Sequence, residues 1–127
     1  MSRETKNIFI VAGLILLIVL IIVVLALIFT AKKPKAGLYD DFAKCLADKK
    51  ITMYGSVSCP WCQKEKSNFG ESFKYVPYVE CSIEPQKCLA MNIESIPTWV
   101  FPDGQRLVGY QSLEKLSQAS GCPLPNQ

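Results

Sequence analysis

The 127-residue chain contains no histidine. That absence removes Ser-His and Cys-His hydrolytic arrangements in one step, and with them the commonest metal ligand. There is no internal repeat and no low-complexity tract, so at this length one modest domain plus an appendage is expected. Charge is sparse and nearly balanced, with 14 Lys and Arg against 11 Asp and Glu. No clustered basic face of the kind nucleic acid requires is present, and no nucleic-acid partner is expected. The first 44 residues lack cysteine, yet the chain has 6.

What the N-terminal part does contain is one uncharged run, Ile8 to Phe29, interrupted only by Gly13. As a helix at about 1.5 Å per residue it reaches roughly 33 Å, enough to cross a bilayer. A cleaved signal peptide needs a shorter apolar region and a small-residue cleavage site, which Phe29-Thr30-Ala31-Lys32-Lys33 does not supply. The expected organisation is a cytoplasmic tail over 1–7, a transmembrane helix over 8–30, a basic linker over 31–37, a globular domain over 38–122 and a short tail over 123–127. Arg3 and Lys6 on one side of the run, against Lys32, Lys33 and Lys35 on the other, do not decide orientation. Cysteine usage does: an even number of cysteines, all after the run, fits an oxidising compartment. The chain thus reads as a single-pass membrane protein, in contact with the lipid bilayer, whose domain lies on the extracytoplasmic side.

Periodicity predicts a helix over Leu38–Lys50, with Leu38, Phe42, Cys45 and Leu46 inward and Asp40 and Asp41 largely outward. A strand follows over Ile51–Tyr54, then a loop, then a helix from Cys59 to about Phe69, stopped by Gly70. Strands are predicted over Tyr75–Cys81, Thr98–Phe101 and Arg106–Gly109, the last two joined by a turn at Pro102-Asp103-Gly104. A short helix starts at Pro85, and Ser112 caps a final helix that Gly121 ends. A βαβ unit, a hairpin and a closing helix make an α/β fold with a mixed sheet covered on both faces.

The chemistry-bearing stretch is Ser58-Cys59-Pro60-Trp61-Cys62. Two thiols three positions apart at a helix start are close enough to form a small disulfide ring. Helix N-termini carry partial positive charge and unpaired N–H groups, which stabilise a thiolate, the attacking species in thiol chemistry. Cys59 is the expected nucleophile and Cys62 the resolving thiol. The same pair could instead be half of a zinc site with Cys81 and Cys88, but the second pair then has the wrong spacing for a zinc ribbon. Cys81 and Cys88 flank a six-residue loop and read either as a second redox pair or as a staple, the commoner use in small exported domains. Cys45 and Cys122, on the first and last helices of the domain, read as a staple joining its ends. Trp61 reads as a substrate-facing aromatic, whereas Trp99, Phe42, Tyr54, Phe69, Phe73 and Phe101 read as core.

Ile51-Thr52-Met53-Tyr54 leading into Cys59-Pro60-Trp61-Cys62, followed by Ile96-Pro97-Thr98-Trp99, resembles the thioredoxin fold. The resemblance implies a cis peptide before Pro97, with Pro97 opposite the dithiol and the backbone of Ile96 offered to substrate. Further segments, including Met53-Tyr54-Gly55 and Val76-Pro77-Tyr78-Val79-Glu80-Cys81, resemble the thioredoxin-like domain of bacterial and plant vitamin K epoxide reductase homologues. That similarity implies electron transfer between exported protein thiols or disulfides and a separate quinone-reducing membrane enzyme of the vitamin K epoxide reductase type. No metal or organic cofactor is implied, because the electrons reside on sulfur. Cytosolic thioredoxins carry a buried Asp where this chain has Met53, which leans the expectation towards an oxidase or electron relay. Glu80 is a candidate substitute for that acid, although a strand-end Glu is more often just solvated. The function expected is a membrane-anchored thiol-disulfide oxidoreductase, the alternatives being a non-catalytic thioredoxin-like binding module and a four-cysteine zinc module.

Overall fold

A computed structural model describes residues 3–29 and 37–125. They belong to two compact units divided between residues 35 and 36. The first contains one helix, α1 (Arg3–Phe29), which is long and apolar enough to cross a membrane. It starts five residues earlier than the apolar run, taking in Glu4, whose charge suits a helix N-terminus. Thr30 and residues 31–36, most of the expected linker, lie outside the described residues, as do 126 and 127 of the expected tail.

In the second unit the elements are α2 (Asp40–Asp48), β1 (Thr52–Gly55), α3 (Pro60–Phe69), β2 (Tyr78–Glu80), α4 (Pro85–Ala90), β3 (Thr98–Val100), β4 (Arg106–Val108) and α5 (Leu113–Ser120). A 3-10 segment, Gly70–Tyr75, separates α3 from β2. The sheet order is β2-β1-β3-β4. β1 runs parallel to β2 and antiparallel to β3, and β3 runs antiparallel to β4. This is the mixed, thioredoxin-like α/β sheet expected above, with α3 as the crossover of a βαβ unit.

The register explains the two-sided core. Met53 lies opposite both Tyr78 and Trp99, and Trp99 lies opposite Leu107. Side chains alternate along a strand, so these four share one face with Gly55 and Glu80. That face packs against Phe42 and Leu46 of α2, Cys62 and Phe69 of α3, and Leu113 and Leu116 of α5. The other face carries Tyr54, Val79 and Val100, and meets Cys88 of α4 with Met91 and Ile93.

Cys45 is bonded to Cys122, and Cys81 to Cys88, each with a Cα separation of 5.8 Å. The first bridge closes a sequence separation of 77 residues. By a chain-entropy argument such a closure contributes about 4.5 kcal/mol.

Several local expectations are corrected. Leu38 is not in the α2 face: it precedes the helix and is 69% exposed. Asp40, expected outside, is buried in the first turn, where a negative charge suits the helix N-terminus. The strand expected over Tyr75–Cys81 is confined to Tyr78–Glu80, because Phe73 and its neighbours continue the crossover as a 3-10 turn closed by the Val76 N–H on the Phe73 carbonyl (2.9 Å). Phe73 is only partly buried, at the edge of the core formed by Phe69 and Trp99.

Candidate active site

The site starts where β1 ends. Gly55 and the loop Ser56–Ser58 deliver the chain to α3, and Cys59 is the residue that caps that helix. Its backbone is extended, and its Sγ accepts the Cys62 N–H at 3.2 Å. A cysteine sulfur therefore occupies the position usually held by a Ser or Asp oxygen. Pro60 occupies the first turn, where its missing N–H leaves no donor orphaned. Cys59 is half-buried, whereas Cys62 is fully buried, and both are free thiols. Burial, reinforced by the hydrogen bond with Cys59, pushes the Cys62 thiol up to about 12. Cys62 therefore rests as a thiol behind its more accessible neighbour.

The loop before β3 closes over the dithiol. The Ile96–Pro97 peptide is cis. The Cys59 thiol donates to the Ile96 carbonyl at 3.8 Å, and the Pro97 carbonyl accepts the Gly109 N–H at 2.8 Å. Trp61, Ile96, Pro97, Gly109 and Tyr110 line an open groove of about 330 Å³. Trp61 and Tyr110 form its aromatic walls, with ring centroids 5.8 Å apart, and the Lys64 ammonium lies 5.2 and 5.1 Å from their centroids. Asn68 donates to the Tyr110 hydroxyl at 2.7 Å, fixing that wall. Cys59, Cys62, Trp61, Ile96 and Pro97 are thus brought together in one place.

The other four cysteines are elsewhere. Cys88 packs on the opposite face of the sheet from Cys62, and both Cys81 and Cys88 are consumed in their own bridge. A four-cysteine zinc site has no set of free thiols to use. Among the described residues no group of three or more His, Cys, Asp and Glu side chains is arranged to hold a metal ion.

Two carboxylates lie beside the dithiol: Glu80, a candidate acid from the sequence, and Glu65, which the sequence reading missed. Glu80 is buried and not solvated as expected, because four donors converge on it. Its Oε1 accepts the Val57 N–H (3.1 Å), the Ser82 N–H (3.3 Å) and the Ser82 hydroxyl, and its Oε2 accepts the Tyr78 hydroxyl (2.6 Å). Burial opposes its ionisation, but the bonds from Ser82, Tyr78 and Val57 win and hold it at about 2. It ties the dithiol loop to the end of β2. Glu65 is fully buried on α3, one turn after Cys62. Its Oε1 accepts the Trp99 indole N–H (2.6 Å) and the Gln111 N–H (3.2 Å), while its Oε2 has no partner. Burial pushes its carboxyl up to about 7, against the lowering pull of those two bonds. In the sequence Glu65 sits in the charged run Gln63-Lys64-Glu65-Lys66, which looks like a solvated surface. Its i+3 spacing from Cys62 was the available signal. A buried acid therefore stands one turn after Cys62 although β1 carries Met53. Tyr110 and Lys64 were also missed, the first because it follows the final strand outside any motif.

No protein-family model matches the chain. Among solved structures it is similar to the NTD_N/C domain of the alkylhydroperoxide reductase AhpF from Enterococcus faecalis, at 18% sequence identity and a TM-score of 0.45. The match covers 69% of this chain and 45% of that one, so it spans less than half the length of the solved structure.

Proposed function

We propose that the protein is a membrane-anchored thiol-disulfide oxidoreductase that exchanges disulfides with other proteins through Cys59 and Cys62. The observation that carries this reading is the asymmetry of the pair. One sulfur is accessible and receives a helix N-terminal N–H, while the other is buried immediately behind it. A thiolate at Cys59 has a donor already aimed at its charge. It attacks a substrate disulfide, forming a Cys59–substrate bond and releasing the other substrate sulfur as a thiolate. Cys62 then loses its proton and attacks Cys59. The mixed disulfide breaks, the Cys59–Cys62 disulfide forms, and the substrate sulfur leaves with the electron pair. Two electrons move from the dithiol to the substrate, and the reverse sequence oxidises substrate thiols.

The groove walled by Trp61 and Tyr110 suits an extended polypeptide, and Trp61 adds apolar surface that is 57% exposed. The α1 helix serves as a membrane anchor, with the domain on the extracytoplasmic side. There the Cys59–Cys62 disulfide accepts two electrons from exported protein thiols, and the dithiol so formed passes them to a separate quinone-linked membrane enzyme. Replacing Cys62 with Ser tests the scheme, because it removes the resolving thiol. Cys59 should then accumulate mixed disulfides with exported proteins in the native host, and Cys59→Ser should accumulate none. A Cys62→Ser chain without adducts sinks the exchange reading and leaves a binding module.

A further inference from the structure

Resolution of the mixed disulfide has a requirement that Cys59 cannot meet. Cys62 has to surrender a proton, and it does so fully buried, in surroundings that hold the thiol protonated. Its side chain has no surface open to bulk solvent, which favours an acceptor from the protein's own interior.

The titratable groups around it are few. Cys59 lies at the same helix end, and its sulfur is the atom under attack. Tyr78 approaches from β2: a Cβ added at Gly55 would sit 3.1 Å from the Cys62 Sγ and 3.3 Å from the Tyr78 hydroxyl. That phenol is committed to Glu80 at 2.6 Å, and burial and the Glu80 bond push it up, so it keeps its proton. Glu80, held down by its four donors, is too weak a base. Lys64 and Lys66 flank Glu65 in sequence but lie over rings, Lys64 over Trp61 and Tyr110 and Lys66 over Tyr78 at 3.6 Å. From β3 and the loop before α5, only the neutral Trp99 and Gln111 donors face the Glu65 carboxylate.

Glu65 is the group left. Cys62 and Glu65 are both at 0% exposure and stand at i and i+3 on α3. Such pairs are about 5–6 Å apart at Cβ, and the Glu65 charge is among the influences that raise the Cys62 thiol. Oε2 makes no hydrogen bond to the sulfur at rest, so the proton passes through one intervening water. One oxygen is clamped by two donors from other elements, which fixes the carboxylate's place, and the second is buried without a partner. We propose that Glu65 exchanges the proton of Cys62: its free Oε2 takes the proton as Cys62 attacks the mixed disulfide and returns it when the Cys59–Cys62 disulfide is reduced. The inference rests on the exchange reading above. In the forward step the Cys62 S–H bond breaks and a Glu65 O–H bond forms. The electron pair displaced from the Cys59–substrate bond departs with the substrate sulfur. The two ends are matched, since a carboxyl raised to about 7 is a far better base for a buried thiol than an ordinary carboxylate.

The test separates the two steps, using the full chain in detergent and glutathione disulfide as the probe. Adduct formation at Cys59 is followed in a Cys62→Ser background, and decay of the glutathione adduct in its presence. Glu65→Gln keeps an oxygen for Trp99 and Gln111 but cannot take a proton. It should slow adduct decay about tenfold or more at pH 7.5, erase an inflection near pH 7 from the decay profile, and change adduct formation less than about twofold. Glu65→Asp should recover part of the decay rate and of the inflection. Normal decay in Glu65→Gln, or decay and formation slowed in parallel, overturns the proton role and leaves the exchange reading standing. A Cys62→Ser chain that forms no glutathione adduct at Cys59 overturns both. Should Glu65→Gln fail to fold, the unmodified chain decides: an inflection near pH 7 in decay alone supports the role, and a flat decay profile refutes it.

Discussion

Glu65 and Glu80 flank the same dithiol, both buried on the same face of the sheet, and they behave in opposite ways. Glu80 accepts from Val57, Ser82 and Tyr78 through both oxygens and is held as a firm anion. Glu65 accepts two bonds on one oxygen and none on the other, and it hovers near neutrality. Glu65 is the more deeply buried of the two, at 0% exposure against 9%, which favours its neutral form. The number of donors, and whether both oxygens are served, pushes the two further apart. One carboxylate is a rivet for the loop that carries Cys59, and the other is a proton reservoir.

The contrast breaks most visibly at Glu80. Glu80→Ala strips an acceptor from Val57, Ser82 and Tyr78 at once, and buried donors left unpaired cost about 1–3 kcal/mol each. With partial access of water to the loop, a loss of about 3 kcal/mol is expected in urea unfolding. A loss below about 0.5 kcal/mol, the size of an ordinary surface substitution, would show that the bonds do not anchor the loop. Glu65→Gln should act with the opposite sign. A carboxyl raised from about 4.5 to about 7 binds protons more tightly in the folded state. Stability therefore falls as pH rises from about 4.5 to about 7, and then levels off. At roughly 1.4 kcal/mol per unit the penalty above pH 7 is about 3 kcal/mol. Glu65→Gln should remove most of it, gaining about 2 kcal/mol at pH 8 and nearly nothing at pH 4. An equal change at both pH values would sink the assignment. For Glu80 the window lies lower: its contribution is present above about 4.5 and is lost as pH falls towards about 2. Unfolding of Glu80→Ala and the unaltered chain should therefore converge in acid. Smallest is the effect at Gly55, between the two systems. Gly55→Ala presses a methyl against the Cys62 sulfur and the Tyr78 ring, each 3.1 Å away, and should cost about 1 kcal/mol as mild overpacking. Its sharper readout is alkylation of Cys62 in the reduced protein, which should accelerate if the sulfur is displaced. An unchanged rate would show that the Tyr78 ring gives way instead.

Much of this was legible before the structure. The fold followed from the alternation of strands with turns and from Cys59-Pro60-Trp61-Cys62 falling between a strand and a helix. Ser112 and Gly121 marked the last helix correctly, with the Ser112 hydroxyl accepting the Lys115 N–H at 3.2 Å and Gly121 left-handed at φ 68°. The misses are buried charges: Glu80 is held mainly by Tyr78 and Ser82 two positions away, Asp40 is buried in the first turn of α2, and Glu65 is drawn inside by long-range partners. The partners of Glu65 are 34 and 46 positions away, and no local pattern encodes such distances. Lysines conceal the same fact from the other side. Lys64 and Lys66 look like a solvated face, yet Lys64 lies over the groove walls Trp61 and Tyr110, and Lys66 over Tyr78. The 3-10 segment Gly70–Tyr75 was hidden because aromatic and β-branched residues around it match a strand as well as a turn.

The Cys45–Cys122 bridge also determines how the domain carries mechanical load. A pull transmitted along the chain from the N-terminal side can straighten Gly37 to Lys44 and then meets a covalent bond. From Cys45 the force passes across the sulfurs to Cys122 and out through Pro123. Everything from Leu46 to Gly121, including the whole sheet and the dithiol, hangs as a closed loop outside the line of tension. A tether can tug on this domain without stretching the residues that do its chemistry.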